Sequence, residues 1–476
     1  MAIIENDGFS SLPDELVILI ISFLPFIDAF RLCLLRKEWH KRALWLHCPN
    51  FELFEADFTF PGARQYSFNV GKRVRSMELK RFGKLRFVDF LNKAVNGLTS
   101  PALSKFSFRM FYSTQYQENV DKWINVALAK YVKELSLDFS DGDPIDPQPL
   151  LLNAPQYVLP NFFYENGRSI RVLNLNSCGL GSFNFQNFIG LSSLTLTRVR
   201  LHWEEIAPLL AACPLLESLC LVECYRVIKI DMSFVLLRLK RLIIRHCVPV
   251  TLGVELCLPK LQYFEYAGRM VLLNLSKLDE IQEVVLDYRL DFFYPYEAED
   301  IVALFSGFAD ARILKVCTSA LKKFSKDYLL YCKPPAHILH IEHLTLKTCL
   351  GRYELPAIMC LLRSSPHLKT LSILSSLMEL TEYQDFMYNR YSDRLPEGIW
   401  TKKGWRLDNL ERVEMQGFTA KKIEVDLLKF ILRKSRFLQK LIVKPLIRGS
   451  SSENSKALKD LKDVAVASGQ AVIKWY

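Results

Sequence analysis

The sequence predicts an α/β protein in which three N-terminal helices precede a solenoid of parallel strands backed by helices. Two patterns predict this class. Residues 12–45 carry apolar side chains at helical spacing, and between residues 170 and 281 a strand-like pattern restarts after 21, 25, 23, 22 and 20 residues. With 476 residues, of which 50% are hydrophobic, the chain can build more than one core or one long continuous core.

The first predicted helix has Pro13 in its first turn and carries an apolar run from Leu16 to Leu24. Pro13 suits a first helical turn, since its missing N–H needs no partner there, and Asp14 and Glu15 favour the positive end of the helix dipole. Both sides of this helix are apolar, with Leu16, Leu19, Ile20, Phe23 and Leu24 on one side and Val17, Ile18 and Ile21 on the other. A helix this short and apolar cannot be solvated all round.

Two further helices are predicted before residue 46. Pro25 ends the first helix, and Asp28 is the predicted N-cap of a second helix that starts at Ala29. The third helix is predicted from Lys37 to Trp45. About forty residues cannot bury a self-sufficient core. This segment must therefore pack on the rest of the chain, as an N-terminal cap, or on another protein.

The strand-like pattern places three apolar residues at positions one, four and six. Its copies are Val74-Met77-Leu79, Leu103-Phe106-Phe108, Val132-Leu135-Leu137, Ile170-Leu173-Leu175, Leu191-Leu194-Leu196, Leu216-Leu219-Leu221, Leu239-Leu242-Ile244, Leu261-Phe264-Tyr266, Ile281-Val284-Leu286, Ala311-Leu314-Val316, Ile341-Leu344-Leu346, Leu368-Leu371-Ile373, Leu410-Val413-Met415 and Leu438-Leu441-Val443. Cys178, Cys224, Cys247 and Cys349 each lie eight residues after the start of a copy. We expect the two inner apolar residues to point the same way from a short strand and the cysteine to close the following turn. Stacked copies would form the solenoid.

Composition and motifs argue against several classes of function. No run reaches the ~18 apolar residues of a membrane-spanning helix, and the flank ahead of Leu16 is acidic where a secretion signal is basic, so we expect a soluble, intracellular chain. None of the 12 cysteines form a C-x-x-C pair, which favours buried thiols over a disulfide framework. No phosphate-binding loop, nucleophile elbow or H-E-x-x-H helix is found. His337, His340 and His343, near Cys332 and Cys349, are better explained as structural or solvated histidines than as a zinc site. We expect no cofactor and no metal.

The net charge of +11 is concentrated near the C-terminal end. Residues 401–476 hold 17 Lys and Arg against 8 Asp and Glu. A second basic cluster, opposed only by Glu78, comprises Lys72, Arg73, Arg75, Lys80, Arg81, Lys84 and Arg86. Either region could attract nucleic acid or an acidic protein. A solvated helix face is the favoured interpretation, because no stacking aromatic pattern and no zinc-finger or RNP-type signature accompanies the charge.

Residues 12–39 resemble an F-box, the three-helix motif that docks on a Skp-type adaptor. The similarity is carried, in order and spacing, by Leu12-Pro13-Asp14-Glu15-Leu16, Ile20, Leu24-Pro25, Asp28-Ala29, Arg31, Leu35 and Trp39. Leu19 stands where a polar residue is common in the motif, and Arg36 stands where serine is usual. The repeats behind it resemble the irregular, cysteine-containing leucine-rich repeats of plant F-box proteins.

The C-terminal part is similar to the FBD region that follows the repeats in many plant F-box proteins. The similarity runs from Asp408 to Phe418, through a predicted amphipathic helix at Glu424 to Leu432, to a last strand at Leu438 to Val443. The resemblance implies an F-box over residues 8–50, a leucine-rich-repeat solenoid over 70–376, a loop or linker over 377–405 and an FBD region over 406–476 that continues the solenoid.

The resemblance implies a non-catalytic substrate-recognition subunit of a Skp–cullin–F-box ubiquitin ligase. The adaptor-binding residues it implies are Leu12, Pro13, Leu16, Ile20, Leu24, Pro25, Leu35 and Trp39. The adaptor would connect the chain to a cullin and a RING protein, and the repeat surface would bind an unknown protein substrate in the cytoplasm, the nucleus or both. Two alternatives stay open: a repeat scaffold outside any ligase, and, less favoured, a nucleic-acid binder that uses the basic C-terminal region.

Overall fold

The computed structural model describes most of the chain in a series of segments. The described residues are 12–58, 70–140, 156–181, 185–232, 238–250, 252–271, 273–276, 278–288, 307–322, 340–351, 354–375, 406–446, 452–464 and 471–475. They fall into two compact units, Met1–Val227 with Cys247–Pro249 and Ile228–His246 with Val250–Tyr476. The loop predicted over 377–405 lies outside the described residues.

The first unit begins with short helices and continues as a parallel sheet. Its helices are α1 (Asp14–Ser22), α2 (Phe26–Leu34), α3 (Lys37–Lys41), α4 (Val70–Gly97), α5 (Gln117–Ala129), α6 (Asn161–Glu165) and α7 (Trp203–Ala211). Its strands are β1 (Asn50–Phe54), β2 (Lys105–Arg109), β3 (Glu134–Asp138), β4 (Tyr157–Val158), β5 (Val172–Asn176), β6 (Cys178–Gly179), β7 (Ser193–Thr197) and β8 (Ser218–Val222). The sheet order is β1-β2-β3-β5-β7-β8, every pair is parallel, and β4 pairs separately with β6.

The second unit repeats the same construction. Its strands are β9 (Ile230–Met232), β10 (Arg241–Arg245), β11 (Val254–Cys257), β12 (Tyr263–Gly268), β13 (Leu273–Ser276), β14 (Glu283–Tyr288), β15 (Ile313–Cys317), β16 (His343–Thr348), β17 (Thr370–Ser375), β18 (Arg412–Phe418), β19 (Lys440–Pro445) and β20 (Val472–Trp475). Its helices are α8 (Thr318–Lys322), α9 (Leu355–Ser364), α10 (Lys422–Lys434) and α11 (Ser452–Asp463). The main sheet runs β10-β12-β14-β15-β16-β17-β18-β19-β20 in parallel, and β13-β11-β9 form a smaller parallel sheet.

Columns of apolar side chains explain why the strands stack. In β5, Leu173 and Leu175 are buried while their neighbours on the strand are half-exposed, as period-two alternation requires. Leu173 lies in register with Leu194 of β7, which in turn lies in register with Leu219 of β8. Every copy of the predicted pattern except Val74-Met77-Leu79 contributes its inner residues to such a strand. The α/β fold class and the parallel repeat architecture are therefore confirmed.

Two of the four predicted cysteines, Cys224 and Cys247, close the turns that follow β8 and β10, whereas Cys178 lies in the short strand β6. Cys224 and Cys247 each follow a residue in the left-handed region, with φ of 52° at Glu223 and 54° at His246. The buried Cys224 thiol donates to the Leu196 carbonyl at 3.3 Å, and Cys247 donates to the Leu221 carbonyl at 3.6 Å. Each thiol thus satisfies a carbonyl on the preceding strand, which explains why cysteine recurs at this position.

Several local predictions were wrong. The copy Val74-Met77-Leu79 lies inside α4, because a spacing of three residues between apolar positions also suits a helix. The parallel sheet begins at β1, and the boundary of the repeats at residue 70 stays a prediction. The second helix begins at Phe26, which is fully buried, so Asp28 lies in its first turn and is not its N-cap. The third helix ends at Lys41, and Leu44–His47 form a 3₁₀ turn.

The C-terminal region extends the same sheet. The helix predicted over 424–432 is present as α10, and β18 pairs in parallel with β17 on one side and β19 on the other. This confirms that the FBD-like region continues the repeats. Within the segments described above, no helix combines the length and apolar content that crossing a membrane requires.

Candidate functional site

The inner side of the first two helices packs into the chain's own core. Val17 and Ile21 of α1 and Phe26 and Cys33 of α2 are almost completely buried. The ring centroid of Phe26 lies 4.2 Å from that of Phe51 on β1. The N-terminal helices therefore dock on the first strand of the sheet, which confirms one of the two packing possibilities that their short length left open.

Aromatic rings join the same helices to α4. The Trp45 ring stacks on the Phe90 ring at 5.8 Å, and Phe30 of α2 meets these two rings edge-on at 5.2 and 5.4 Å. Side chains near β1 add polar contacts: the Asn50 amide donates to the Ser22 carbonyl at 3.2 Å. Offset and edge-to-face ring pairs of this kind add to simple burial. The helices are thus held firmly on one side.

The outer side of these helices is apolar and exposed. Leu16, Leu19 and Phe23 follow one another at helical spacing along α1 and are 45%, 52% and 77% exposed. Leu34 and Leu35, at the end of α2, are 53% and 76% exposed. We call these five side chains the apolar outer face. Clustered apolar side chains in water are typical of protein interaction sites.

The residues predicted to bind an adaptor have unequal exposure. Pro13, Leu16, Pro25 and Leu35 are exposed, Leu12, Ile20 and Leu24 are half-buried, and Trp39 is buried. Trp39 is only 3% exposed, and the Arg36 guanidinium lies over its ring at 5.5 Å. Trp39 therefore packs in the chain's own core and exposes almost no surface, and its role in adaptor binding stays a prediction.

Three members of the apolar outer face were absent from the predicted set. Leu19, Phe23 and Leu34 are each more than half exposed. The spacing of Leu16, Leu19 and Phe23 by three and four residues was the signal that could have identified two of them. Leu19, which replaces a commonly polar residue of the motif, enlarges the exposed apolar stripe.

The polar groups near the apolar outer face are two ion pairs and a protonated thiol. Arg42 forms an ion pair with Asp14 at 2.5 Å, and Arg31 forms one with Asp28 at 3.1 Å. Burial raises the pKa of the Cys48 thiol, so it stays protonated and unreactive at neutral pH. Exposed ion pairs contribute little stability, so the apolar side chains dominate what this face can do.

The second candidate surface is the polar side of the main sheet in the second unit. Its side chains form a ladder of ion pairs across neighbouring strands. Lys315 on β15 reaches Glu283 on β14 at 2.7 Å, and Arg245 on β10 reaches Glu265 on β12 at 2.5 Å. Further along, hydrogen bonds from Lys444 and then Arg412 lower the pKa of Glu414 to about 2. This surface is charged and suits polar recognition.

The histidines of the second unit have separate partners. His343 Nδ1 lies 2.6 Å from Thr370 Oγ1, whereas His340 Nδ1 lies 3.3 Å from Asp310 Oδ1. His337 lies outside the described residues. Among the side chains that the structure does describe, no group of three or more His, Cys, Asp and Glu could hold a metal ion.

Two family profiles match different parts of the chain. The family profile described as At1g61320/AtMIF1, LRR domain, matches residues 96–473, and the F-box domain profile matches residues 9–47. F-box protein At3g29830 of Arabidopsis thaliana is 28% identical over 382 residues, covering 77% of this chain and 76% of its own.

Two further Arabidopsis thaliana proteins align over more of the chain. F-box/LRR-repeat protein At1g56400 is 25% identical, covering 91% of this chain and 87% of its own. F-box/FBD/LRR-repeat protein At4g03220 is 23% identical, covering 99% of this chain and 96% of its own. The first profile alone spans well over half of the sequence. The chain therefore belongs to the At1g61320/AtMIF1 leucine-rich-repeat family and carries an F-box in front of its repeats.

Proposed function

We propose that this chain is the substrate-recognition subunit of a Skp–cullin–F-box ubiquitin ligase. The observation that carries the proposal is the apolar outer face of the F-box: one side of α1 and α2 is anchored in the chain's own core, and the other side exposes Leu16, Leu19, Phe23, Leu34 and Leu35. A Skp-type adaptor is the partner that this face would bind.

The proposed role needs no catalytic group on this chain. The adaptor would connect it to a cullin and a RING protein, and the repeat surface would hold a protein substrate near the ubiquitin that is transferred. Holding reactants together can contribute about 7–11 kcal/mol to lowering a barrier. The bond-making residues would belong to other subunits. We propose the cytoplasm, the nucleus or both as its location.

Co-purification of the full-length chain with a Skp-type adaptor tests the proposal. We expect wild type to capture the adaptor and the double variant Leu16→Asp with Phe23→Asp to lose it. Central apolar anchors of an interface are worth about 2 kcal/mol or more each, so losing two should weaken binding by about a thousandfold. Both side chains are exposed, so the variant should still fold.

A matched control places the same substitutions outside the F-box. Ile189 and Phe437 are 58% and 63% exposed, and Ile189→Asp with Phe437→Asp should leave adaptor capture unchanged. Equal capture by wild type and the Leu16→Asp, Phe23→Asp variant would contradict the proposed docking face. A wild-type chain that captures no adaptor would favour a repeat scaffold outside any ligase.

A further inference from the structure

Along most of the main sheet in the second unit, basic side chains face acidic ones. On β14, β15 and β16, Lys315 pairs with Glu283 at 2.7 Å, and Lys347 pairs with Asp287 at 3.3 Å. The two cations of this part are therefore matched by two carboxylates. Such a surface has little net charge to offer a partner.

The last three strands break this balance. Their polar side carries Arg412 and Glu414 on β18, Lys440 and Lys444 on β19, and Lys474 on β20. We call these five side chains the basic strand face. Four cations share one carboxylate, since Glu414 accepts from Arg412 at 2.8 Å and from Lys444 at 2.7 Å. Among the described residues, Lys440 and Lys474 have no acidic partner.

The register holds these charges close together. Arg412 is the cross-strand neighbour of Lys440, and Ile442, which separates Lys440 from Lys444 on the same side, is the neighbour of Lys474. Adjacent strands are about 4.8 Å apart, so the cations act within the ~8 Å over which salt screens charge at physiological ionic strength. An acidic partner crossing the three strands would relieve their mutual repulsion.

The side chains favour an acidic peptide over nucleic acid. Single-stranded nucleic acid is commonly held by aromatic rings as well as by cations. The polar side of β18 to β20 carries no ring, and Trp475 packs against Phe418 on the apolar side at 5.3 Å. Glu414, fixed between two cations, would repel a continuous phosphate backbone, whereas a peptide can place an uncharged residue opposite it.

We infer that the basic strand face binds an extended acidic segment, rich in Asp and Glu, of a protein substrate. The word substrate rests on the proposed ligase function; the binding of an acidic peptide does not. The face thus gives the second unit a chemical preference at its last three strands. Two lysines without acidic partners, Lys440 and Lys474, are the residues on which this preference depends most.

Fluorescence anisotropy on the full-length chain tests the inference. The probe is a labelled peptide of alternating glutamate and serine, compared with a lysine–serine peptide and a single-stranded DNA of similar length. We expect the acidic peptide to bind the wild type in preference to both others, and the affinity to fall between about 50 and 200 mM salt. The double variant Lys440→Glu with Lys474→Glu should lower the affinity for the acidic peptide by about tenfold or more.

The control variant is Lys456→Glu with Lys459→Glu on α11, which makes the same change in net charge at exposed positions elsewhere in the unit. It should change the affinity less than twofold. The milder double variant Lys440→Gln with Lys474→Gln should lower the affinity about threefold. Thermal unfolding checks that it is folded, so the test does not depend on the charge-reversed protein. Equal losses in the Glu pair and the α11 control would overturn the inference, because binding would then follow net charge alone.

Other outcomes separate this inference from the proposed function. Tighter binding of DNA than of the acidic peptide, lost in the Lys440→Glu, Lys474→Glu variant, would replace the inference with a nucleic-acid site. Absence of peptide binding in a chain that captures the adaptor would overturn only the inference. Peptide binding in a chain that captures no adaptor would support the basic strand face and count against the ligase assignment.

Discussion

Helices α1 and α10 differ in how much of their apolar surface the chain itself buries. The apolar residues of α10, including Leu427, Leu428 and Ile431, are almost all buried against the chain's own core. In α1 only Val17 and Ile21 are buried, while Leu16 and Leu19 stay in water. The chain's own core thus covers the apolar side of α10. The F-box helix is completed on one side only, and the remaining side is where a partner can gain the most apolar contact.

This difference has a consequence for mutation. Truncating a side chain that the fold buries costs free energy of unfolding, because it leaves a cavity as well as lost contacts. Truncating a side chain that the fold leaves in water changes the free energy of unfolding by less than about 0.5 kcal/mol. The exposed set should therefore affect partner binding and leave folding unchanged, and the buried set should do the reverse.

The largest expected effect compares two neighbouring F-box residues. Trp39→Ala should lower the free energy of unfolding of the N-terminal helices by about 3–5 kcal/mol, because this ring is buried. Leu35→Ala, at a side chain that is mostly exposed, should change it by less than about 0.5 kcal/mol. Denaturant unfolding of the full-length proteins measures both. Similar losses for the two variants would break the distinction between inner and outer sides.

The next effect sets α10 against α1 directly. Leu428→Ala should cost about 2–5 kcal/mol, since Leu428 is fully buried. Leu19→Ala should leave unfolding unchanged within about 0.5 kcal/mol and weaken adaptor capture instead. Unfolding and co-purification measured on the same two preparations give the comparison. A stability loss at Leu19 as large as that at Leu428 would show that the outer side is also packed by this chain.

The smallest effect concerns charge and pH. Hydrogen bonds from Lys444 and Arg412 lower the pKa of Glu414 to about 2, below the value of about 4.3 expected in the unfolded chain. Its contribution is therefore present above about pH 4.3 and is lost as pH falls toward 2. After allowance for solvent screening we expect about 1 kcal/mol. Glu414→Gln should remove this amount at pH 7 and flatten the acid dependence, measured by hydrogen exchange at β18 and β19.

Glu424 provides a control, because its pKa is shifted in the opposite direction to that of Glu414. Its carboxylate is buried beside the first turn of α10, and burial raises its pKa. A raised acid pKa means that the folded chain holds the proton more tightly than the unfolded chain, so this contribution falls as pH rises through the folded-state value. Glu424→Gln should therefore flatten a slope opposite to that of Glu414. Equal pH slopes for the two variants would contradict the opposite pKa shifts of the two carboxyl groups.

The repeat strands could be predicted from the sequence because their signal is local and periodic. Copies such as Leu216-Leu219-Leu221 contain the two buried positions of a strand within six residues. The copy Val74-Met77-Leu79 failed because nothing within so short a window separates a strand from a helix such as α4. β1 was missed because its copy starts with Cys48, which a template for apolar leucine-like residues does not single out.

The candidate site was predictable in identity but not in orientation. The motif that contains Leu16 and Trp39 is recognisable from residue order, since that order determines the three helices. Which side of each helix faces out depends on residues distant in sequence, such as Phe51 and Phe90, whose rings occupy the inner side. The burial of the Trp39 ring could likewise not be predicted from its place in the motif. The basic strand face depends likewise on pairings across strands.

The buried thiols in the repeat turns can report local opening of the structure. Burial raises the pKa of the Cys224 thiol, which donates a hydrogen bond to the Leu196 carbonyl. A small alkylating reagent can therefore react with this thiol only while the turn is open. The rate of modification of Cys224 and Cys247 in native protein thus reports how often these turns open. A bound partner that stiffens this unit would slow that chemistry, and mass spectrometry could follow the change without any added label.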